Sequence, residues 1–154
     1  MDLREVVERS LTMEFSAMLV YQDLAEKVID ADARNVLTHL SRSEESHVAR
    51  LIEIFSAWSE EGRESLDLVD VIKIFRSRGQ ETLLRAFRER GLTEESPVGD
   101  ILDFAREAER RAYEHYRALA DGAEDEGVKA LFLDLAEEEK NHEVSVIRLR
   151  DLFD

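Results

Sequence analysis

Two Glu-x-x-His pairs, each with a further glutamate thirty residues upstream, are the residues of this sequence best suited to chemistry. The six residues are Glu14, Glu44, His47, Glu109, Glu139 and His142. A glutamate and a histidine three positions apart lie on one face of a helix. Carboxylate and imidazole groups together bind divalent ions such as iron and manganese. The spacing therefore predicts metal ligands on helices.

The six residues interrupt the apolar faces of four long predicted helices. Apolar residues recur every three or four positions over about 2–29, 32–58, 97–122 and 125–153, which is typical of helices with one buried face. Glu14 lies between Leu11 and Ala17 on the first of these faces. A carboxylate buried without compensation costs several kcal/mol and tends to protonate. These groups therefore need a neutralising partner.

Two divalent cations supply that neutralisation most simply. No Arg or Lys occupies the apolar faces near the same level, so internal salt bridges are not the obvious answer. Four carboxylates carry four negative charges, two divalent ions carry four positive charges, and two neutral imidazoles complete the ligand set. We therefore expect a dinuclear metal site in the interior.

The connections between the helices predict the topology. The break at 30–32 is short, so the first two helices form an antiparallel hairpin over about 2–58. Ser96 and Pro97 are expected as N-cap and first-turn residue of a second hairpin, over about 97–153. The crossover, about 59–96, is expected to hold a polar linker at 59–65 and short helices over 66–78 and 81–90, broken near Gly79. The sequence thus predicts one all-α domain, 1–154, built as a four-helix bundle.

The two predicted hairpins are similar in sequence. Residues 14–47 aligned with 109–142, at a constant offset of 95, are identical at nine of 34 positions. The nine pairs are Glu14/Glu109, Ala17/Ala112, Tyr21/Tyr116, Leu24/Leu119, Ala25/Ala120, Asp30/Asp125, Leu40/Leu135, Glu44/Glu139 and His47/His142. An internal duplication is the simplest explanation.

Composition excludes several classes of function. The 154 residues include no cysteine, which excludes disulfides, thiolate metal sites and iron–sulfur clusters. The 36 acidic and 21 basic residues give a net charge of -15, so nucleic acid and anionic membrane surfaces are poor partners. The N-terminus lacks an apolar signal segment, and the longest apolar run is the five residues 17–21. We expect a cytoplasmic location.

Two stretches carry a family resemblance. The second half contains Phe104-Ala-Arg-Glu-Ala-Glu109-Arg-Arg-Ala-Tyr-Glu-His-Tyr116 and Ala136-Glu-Glu-Glu139-Lys-Asn-His142, and the first half repeats this more loosely in Glu14–Tyr21 and Glu44-Glu-Ser-His47. These stretches resemble the di-iron helices of the rubrerythrin-like branch of the ferritin-like superfamily. The set of one Glu from each of two helices and Glu-x-x-His from the other two is the known di-iron or di-manganese ligand set of such bundles.

The resemblance implies a role for each ligand. It implies that Glu44 and Glu139 bridge two metal ions. It further implies that Glu14 and His47 are terminal ligands of one ion, and that Glu109 and His142 serve the other. It does not extend to the crossover, about 59–96.

Two departures from the rubrerythrin pattern bear on function. Rubrerythrins proper carry a cysteine-ligated rubredoxin module that supplies electrons, whereas this chain has no cysteine and needs an outside electron donor. They also carry an extra carboxylate one turn beyond the ligand of the third helix, where this chain has Ala112. Direct transfer of the family's peroxidase mechanism is weakened by that difference.

Other polar residues near the predicted ligands have simpler roles. Tyr21 and Tyr116 are expected on the buried faces, where they either hydrogen-bond a ligand carboxylate or serve as ordinary core residues. The glutamates that flank the ligands are expected to be solvated: Glu45, Glu137, Glu138 and Glu143. His39 and His115 have no histidine at the repeat offset and are expected to be structural or surface residues.

The sequence as a whole favours a redox protein with two iron ions. The preferred prediction is reduction of hydrogen peroxide or oxygen with electrons from a donor protein; no residue apart from the metal centre is predicted to be catalytic. A ferroxidase or iron-handling protein, a di-manganese catalase and a metal-free interaction bundle remain alternatives. The duplicated hairpins also permit a homodimer that exchanges halves.

Overall fold

Six α-helices account for most of the described chain. The computed structural model describes residues 2–58, 66–78 and 82–153. Its helices are α1 (Leu3–Lys27), α2 (Ala31–Trp58), α3 (Leu68–Ser77), α4 (Leu83–Glu89), α5 (Val98–Gly122) and α6 (Glu126–Arg150). These residues contain no strand, which confirms the all-α prediction. None of the helices in these ranges is long and apolar enough to cross a membrane.

The chain divides into two compact units. The first comprises Met1–Lys27 and Leu37–Thr93, and the second comprises Val28–Val36 and Glu94–Asp154. The first therefore holds α1, most of α2 and both crossover helices. The second holds α5 and α6.

In the first unit, α1 and α2 run antiparallel. The Ser41 hydroxyl of α2 donates to the Met18 carbonyl of α1 at 3.1 Å. One helical turn earlier on α1, Glu14 lies beside His47, further along α2. The two helices therefore run in opposite directions. Fully buried residues on these two helices include Leu11, Tyr21, Leu37, Leu40 and Leu51.

The crossover helices of the first unit pack on α1. Phe75 of α3 meets Phe15 of α1 edge to face, with ring centroids 5.1 Å apart. The amide of Leu84 in α4 donates to the hydroxyl of the fully buried Ser16 at 3.1 Å. Arg78, just beyond α3, pairs with Glu5 at 2.7 Å. Both short helices therefore cover one side of α1.

In the second unit, α5 and α6 form another antiparallel pair. Arg150, near the end of α6, contacts Asp103, near the start of α5, with Nε and Oδ1 2.9 Å apart. Tyr116, further along α5, stacks on Phe132, near the start of α6, with ring centroids 6.2 Å apart. The buried apolar residues of this pair include Ile101, Leu102, Phe104, Leu135 and Val146.

Most helix ends follow the expected capping chemistry. Asp30 accepts from the Ala33 amide at 2.8 Å and Asp125 from the Val128 amide at 3.0 Å, as N-cap side chains do. Gly91 follows α4 with a φ of 73°, a backbone angle that glycine adopts without strain.

One predicted helix start was wrong by one residue. The backbone of Pro97 is extended, at φ -52° and ψ 138°, so Pro97 is the N-cap of α5 and makes no side-chain cap. Ser96 therefore lies outside the helix. The predicted linker at 59–65 and the predicted break at Gly79 lie outside the described residues.

Candidate metal centre

The first unit brings three of the predicted ligands together. Glu14, Glu44 and His47 form what we call the first cluster, and their ligand atoms lie within 4.8 Å of one another. His47 Nδ1 is 2.9 Å from Glu14 Oε2 and 3.8 Å from Glu44 Oε2. Because Glu44 and His47 are three positions apart on α2, both face α1 at the level of Glu14.

The second unit repeats this arrangement. Glu109 of α5 and Glu139 and His142 of α6 form the second cluster, again with ligand atoms within 4.8 Å of one another. His142 Nδ1 lies 3.4 Å from Glu109 Oε2. The duplication seen in the sequence thus reappears as two clusters of the same composition.

Both clusters are buried, which makes their negative charge unfavourable without a cation. The side chains of Glu14 and His47 are 0% exposed, and those of Glu44 and Glu109 are 2% exposed. Glu109 Oε2 is buried and accepts no hydrogen bond from the described part of the chain. With neutral histidines, each cluster carries two negative charges. One divalent cation per cluster would neutralise them and occupy the lone pairs of that oxygen, so the residues present fit such ions.

The two tyrosines predicted near the ligands are fully buried. Tyr116 packs between the ring of Phe132 and that of the half-buried His115, whose centroid is 5.1 Å away. Tyr21 occupies the corresponding position on α1. A hydrogen bond from either tyrosine to a ligand carboxylate stays a prediction.

Glu143 corrects the expectation that all glutamates flanking the ligands are solvated. Its side chain is only 5% exposed. Lys140 Nζ lies 3.1 Å from Glu143 Oε1, and Arg110 Nη1 lies 3.7 Å from the same oxygen. Glu143 is one turn beyond Glu139, so it faces α5 with the ligands. That spacing was available in the sequence, but the residue was predicted to point away from the buried face because it directly follows a ligand.

Arg110, which contacts Glu143, also pairs with a residue of its own helix. Its guanidinium Nε donates to Glu114 Oε1 at 3.2 Å. This hydrogen bond, followed by the negative charge of Glu143, raises the pKa of Arg110. Arg110 directly follows Glu109, and Glu143 directly follows His142, so this charged group borders the second cluster.

The remaining flanking residues lie toward solvent as expected. Glu45, Glu137 and His39 are exposed, and Glu138 is half-buried. None of them belongs to the two clusters.

Comparison with known proteins identifies the family. The family model described as Rubrerythrin matches residues 5–96 and 100–153. The chain belongs to the rubrerythrin family. The match includes the crossover, which the sequence resemblance alone did not cover. No protein in the curated comparison matches this rubrerythrin-family chain.

A solved structure supports the fold. A hypothetical protein from Pyrococcus furiosus superposes on this chain with a TM-score of 0.72, at 23% sequence identity, covering 99% of this chain and 90% of the other. Together with the family match, this confirms the predicted all-α, ferritin-like bundle fold. The buried Glu and His groups of this rubrerythrin-family protein are compatible with a two-metal site. The assignment of the six residues as ligands stays a prediction.

Proposed function

We propose that this rubrerythrin-family protein is a dinuclear-iron oxidoreductase that reduces hydrogen peroxide, or oxygen, with electrons from an external donor protein. The observation that carries the proposal is the pair of buried clusters, each with two carboxylates and one imidazole whose ligand atoms lie within 4.8 Å. Donors of this kind suit iron and manganese.

In this proposal the two clusters act together as one centre. As the family resemblance implies, Glu14 and His47 would hold one ion, Glu109 and His142 would hold the other, and Glu44 and Glu139 would be shared between them. When bound, such an iron pair would supply two electrons to the oxidant, and the donor protein would replace them.

The protein's own residues provide a dry and oriented site whose negative charge would be neutralised by the ions. The Nδ1 atoms of both histidines face a carboxylate oxygen of the same cluster, at 2.9 Å for His47 and 3.4 Å for His142, so each would hold an ion from the carboxylate side. The hydrogen bond between His47 Nδ1 and Glu14 Oε2 fixes the imidazole ring in that orientation before any ion binds. The buried apolar residues around each cluster exclude water and so strengthen every charge interaction within it.

Peroxide or oxygen reduction is preferred to the alternatives because of the family. The chain has no cysteine, so electrons must come from another molecule. Carboxylate and imidazole donors barely distinguish iron from manganese, and manganese would instead support peroxide dismutation. Iron storage would require assembly into a closed shell, which light scattering detects.

Metal analysis followed by rapid mixing tests the proposal. Protein loaded anaerobically with ferrous iron is quantified and then mixed with peroxide and, separately, with oxygen, while absorbance reports iron oxidation. We expect two irons per chain and oxidation by peroxide faster than by oxygen. Protein that binds iron yet is oxidised by neither reagent would contradict the redox function.

A further inference from the structure

The duplication allows the surroundings of the two clusters to be compared position by position, and they differ. On α1, Leu11, Thr12 and Ser16 are at most 1% exposed. At the offset of 95, α5 carries Arg106, Glu107 and Arg111, all of them exposed. Related positions on the two ligand-bearing helices thus have opposite surroundings.

The crossover helices contact α1 beside its predicted ligand. Phe75 packs against Phe15, which immediately follows the ligand Glu14. The Leu84 amide donates to Ser16, one residue further along. The crossover therefore covers α1 at the level of its metal ligand.

The corresponding side of α5 is an open charged groove. Its lining residues are Asp103, Arg106, Glu107, Arg110, Arg111, Glu114 and Glu143. Arg110, which matches Phe15 at the offset of 95, follows the ligand Glu109 directly. Glu143, which matches the buried Val48, follows His142. The groove thus brings solvent to the residues next to the ligands of the second cluster.

The two clusters also differ in exposure and in the distance between histidine and glutamate. His47 is 0% exposed and lies 2.9 Å from Glu14, whereas the side chain of His142 is 8% exposed and lies 3.4 Å from Glu109. The first cluster is therefore tighter and drier than the second.

We propose that the two metal positions are inequivalent in exchange: the ion held by Glu14 and His47 is retained, and the ion held by Glu109 and His142 is the one that enters and leaves through the groove on α5. The inference rests on the proposed two-metal site. An ion leaves a protein site when water or a chelator reaches it, so release through the covered side requires the crossover to open locally, whereas release through the groove does not.

Release of cobalt to a chelator tests this inference. The full-length protein is loaded with Co²⁺, excess chelator is added, and the visible absorbance of the bound ion is followed. We expect two phases of equal amplitude whose rates differ by about tenfold or more. His142→Ala should remove the fast phase, and His47→Ala should remove the slow one.

Crossover variants provide the decisive comparison. Phe75→Ala and Ser16→Ala each remove one contact between the crossover and α1, and each should accelerate the slow phase by about threefold or more while the fast phase is unchanged. The control is Ser77→Ala, which removes a hydroxyl of the crossover that donates to the Ile74 carbonyl of its own helix α3 at 2.9 Å; it should change neither phase.

The outcomes separate the two proposals. Two bound ions that leave in one phase, or a slow phase that both crossover variants leave unchanged, would overturn the inference and leave the proposed function intact. A chain that binds no Co²⁺ would instead contradict the two-metal site itself.

Discussion

Glu109 shows most plainly what a single residue contributes to this site. Its carboxylate is buried in the second cluster, and one of its oxygens accepts no hydrogen bond from the described part of the chain. A carboxylate in that position opposes folding unless a cation binds. The residue is therefore a poor choice for stability and a good choice for binding metal, which is typical of functional sites.

Replacing Glu109 with leucine should separate stability from metal binding. The metal-free Glu109→Leu protein should be more stable than the metal-free parent by roughly 1–3 kcal/mol, because an uncompensated buried charge is replaced by an apolar side chain. It should also bind at least one metal ion fewer. Urea unfolding in the presence of chelator measures the first effect and metal quantification the second.

The matched control for that variant is Glu137→Leu on α6, where the glutamate is exposed. It should change stability by no more than about 0.5 kcal/mol and leave metal binding unchanged. A metal-free Glu109→Leu protein that is less stable than the parent would show that the carboxylate is compensated without metal.

Glu143 marks the limit of prediction at the residue scale. The six candidate ligands stand out in the sequence because they interrupt apolar faces at repeated spacings. Glu143 lies one turn after Glu139 and one turn before Val146 and Ile147, so helical spacing alone placed it inward. It was nevertheless predicted to point away from the buried face, and the contacts with Lys140 and Arg110 that permit its burial could not be known from the sequence.

Removal of Glu143 should weaken the α5–α6 pair moderately. Glu143→Ala loses the contacts with Lys140 and Arg110, and we expect a loss of about 1 kcal/mol, because both cations are half-exposed and can be hydrated instead. A double-mutant cycle with Arg110→Ala measures the Arg110–Glu143 coupling. A coupling of zero would show that the 3.7 Å contact contributes nothing.

At the scale of elements, the four long helices were predictable and the crossover packing was not. Apolar periodicity and the short break at 30–32 identified the long helices to within a few residues. The same pattern indicated two short helices in the crossover. It did not reveal that they pack on α1, because that depends on single contacts such as the Ser16 hydroxyl with the Leu84 amide.

The N-cap residue of α3, Asp67, should make the stability of the folded protein depend on pH. Asp67 accepts from the Asp70 amide at 2.9 Å, and the Asp70 side chain accepts in return from the Asp67 amide. The hydrogen bond from the Asp70 amide is the main cause that lowers the pKa of Asp67 below its ordinary 3.8. A lowered pKa in the folded state means that the ionised cap stabilises α3 above the unfolded pKa, and that this contribution is lost as pH falls through the folded value.

Asp67→Asn tests that dependence. The parent should be more stable than the variant at neutral pH, and the difference should shrink as pH falls below 3.8. Urea unfolding across this range measures it, with Asp134→Asn, within α6, as the control that caps no helix. A stability difference between parent and Asp67→Asn that is constant with pH would contradict the role of the ionised cap.

At the scale of the whole molecule, metal binding and stability should be linked. Metal that binds the folded chain and not the unfolded one stabilises it, by about 2.7 kcal/mol per site at a concentration one hundred times the Kd. Thermal unfolding with Mn²⁺ and with chelator measures the difference. The double variant His47→Ala/His142→Ala should show a much smaller shift. Equal Tm values for the parent in both conditions would favour a metal-free bundle.

For the molecule as a whole, the sequence predicted part of the function and left the rest open. Net charge, the absence of cysteine and the duplicated Glu and His residues favoured a metal-binding bundle, and the resemblance of the stretches around them indicated the rubrerythrin family, while a metal-free bundle stayed open as an alternative. The identity of the metal could not be predicted, because iron and manganese accept the same donors. The electron donor that we propose could not be identified either, because the sequence of one chain carries no information about a separate molecule.

The most direct test of the account is a crystal grown with Mn²⁺ and measured for anomalous scattering. We predict two strong anomalous peaks per chain, one beside Glu14 and His47 and the other beside Glu109 and His142. A map with no peak at either cluster, and with these glutamates turned toward solvent, would contradict the claim that two cations neutralise this interior.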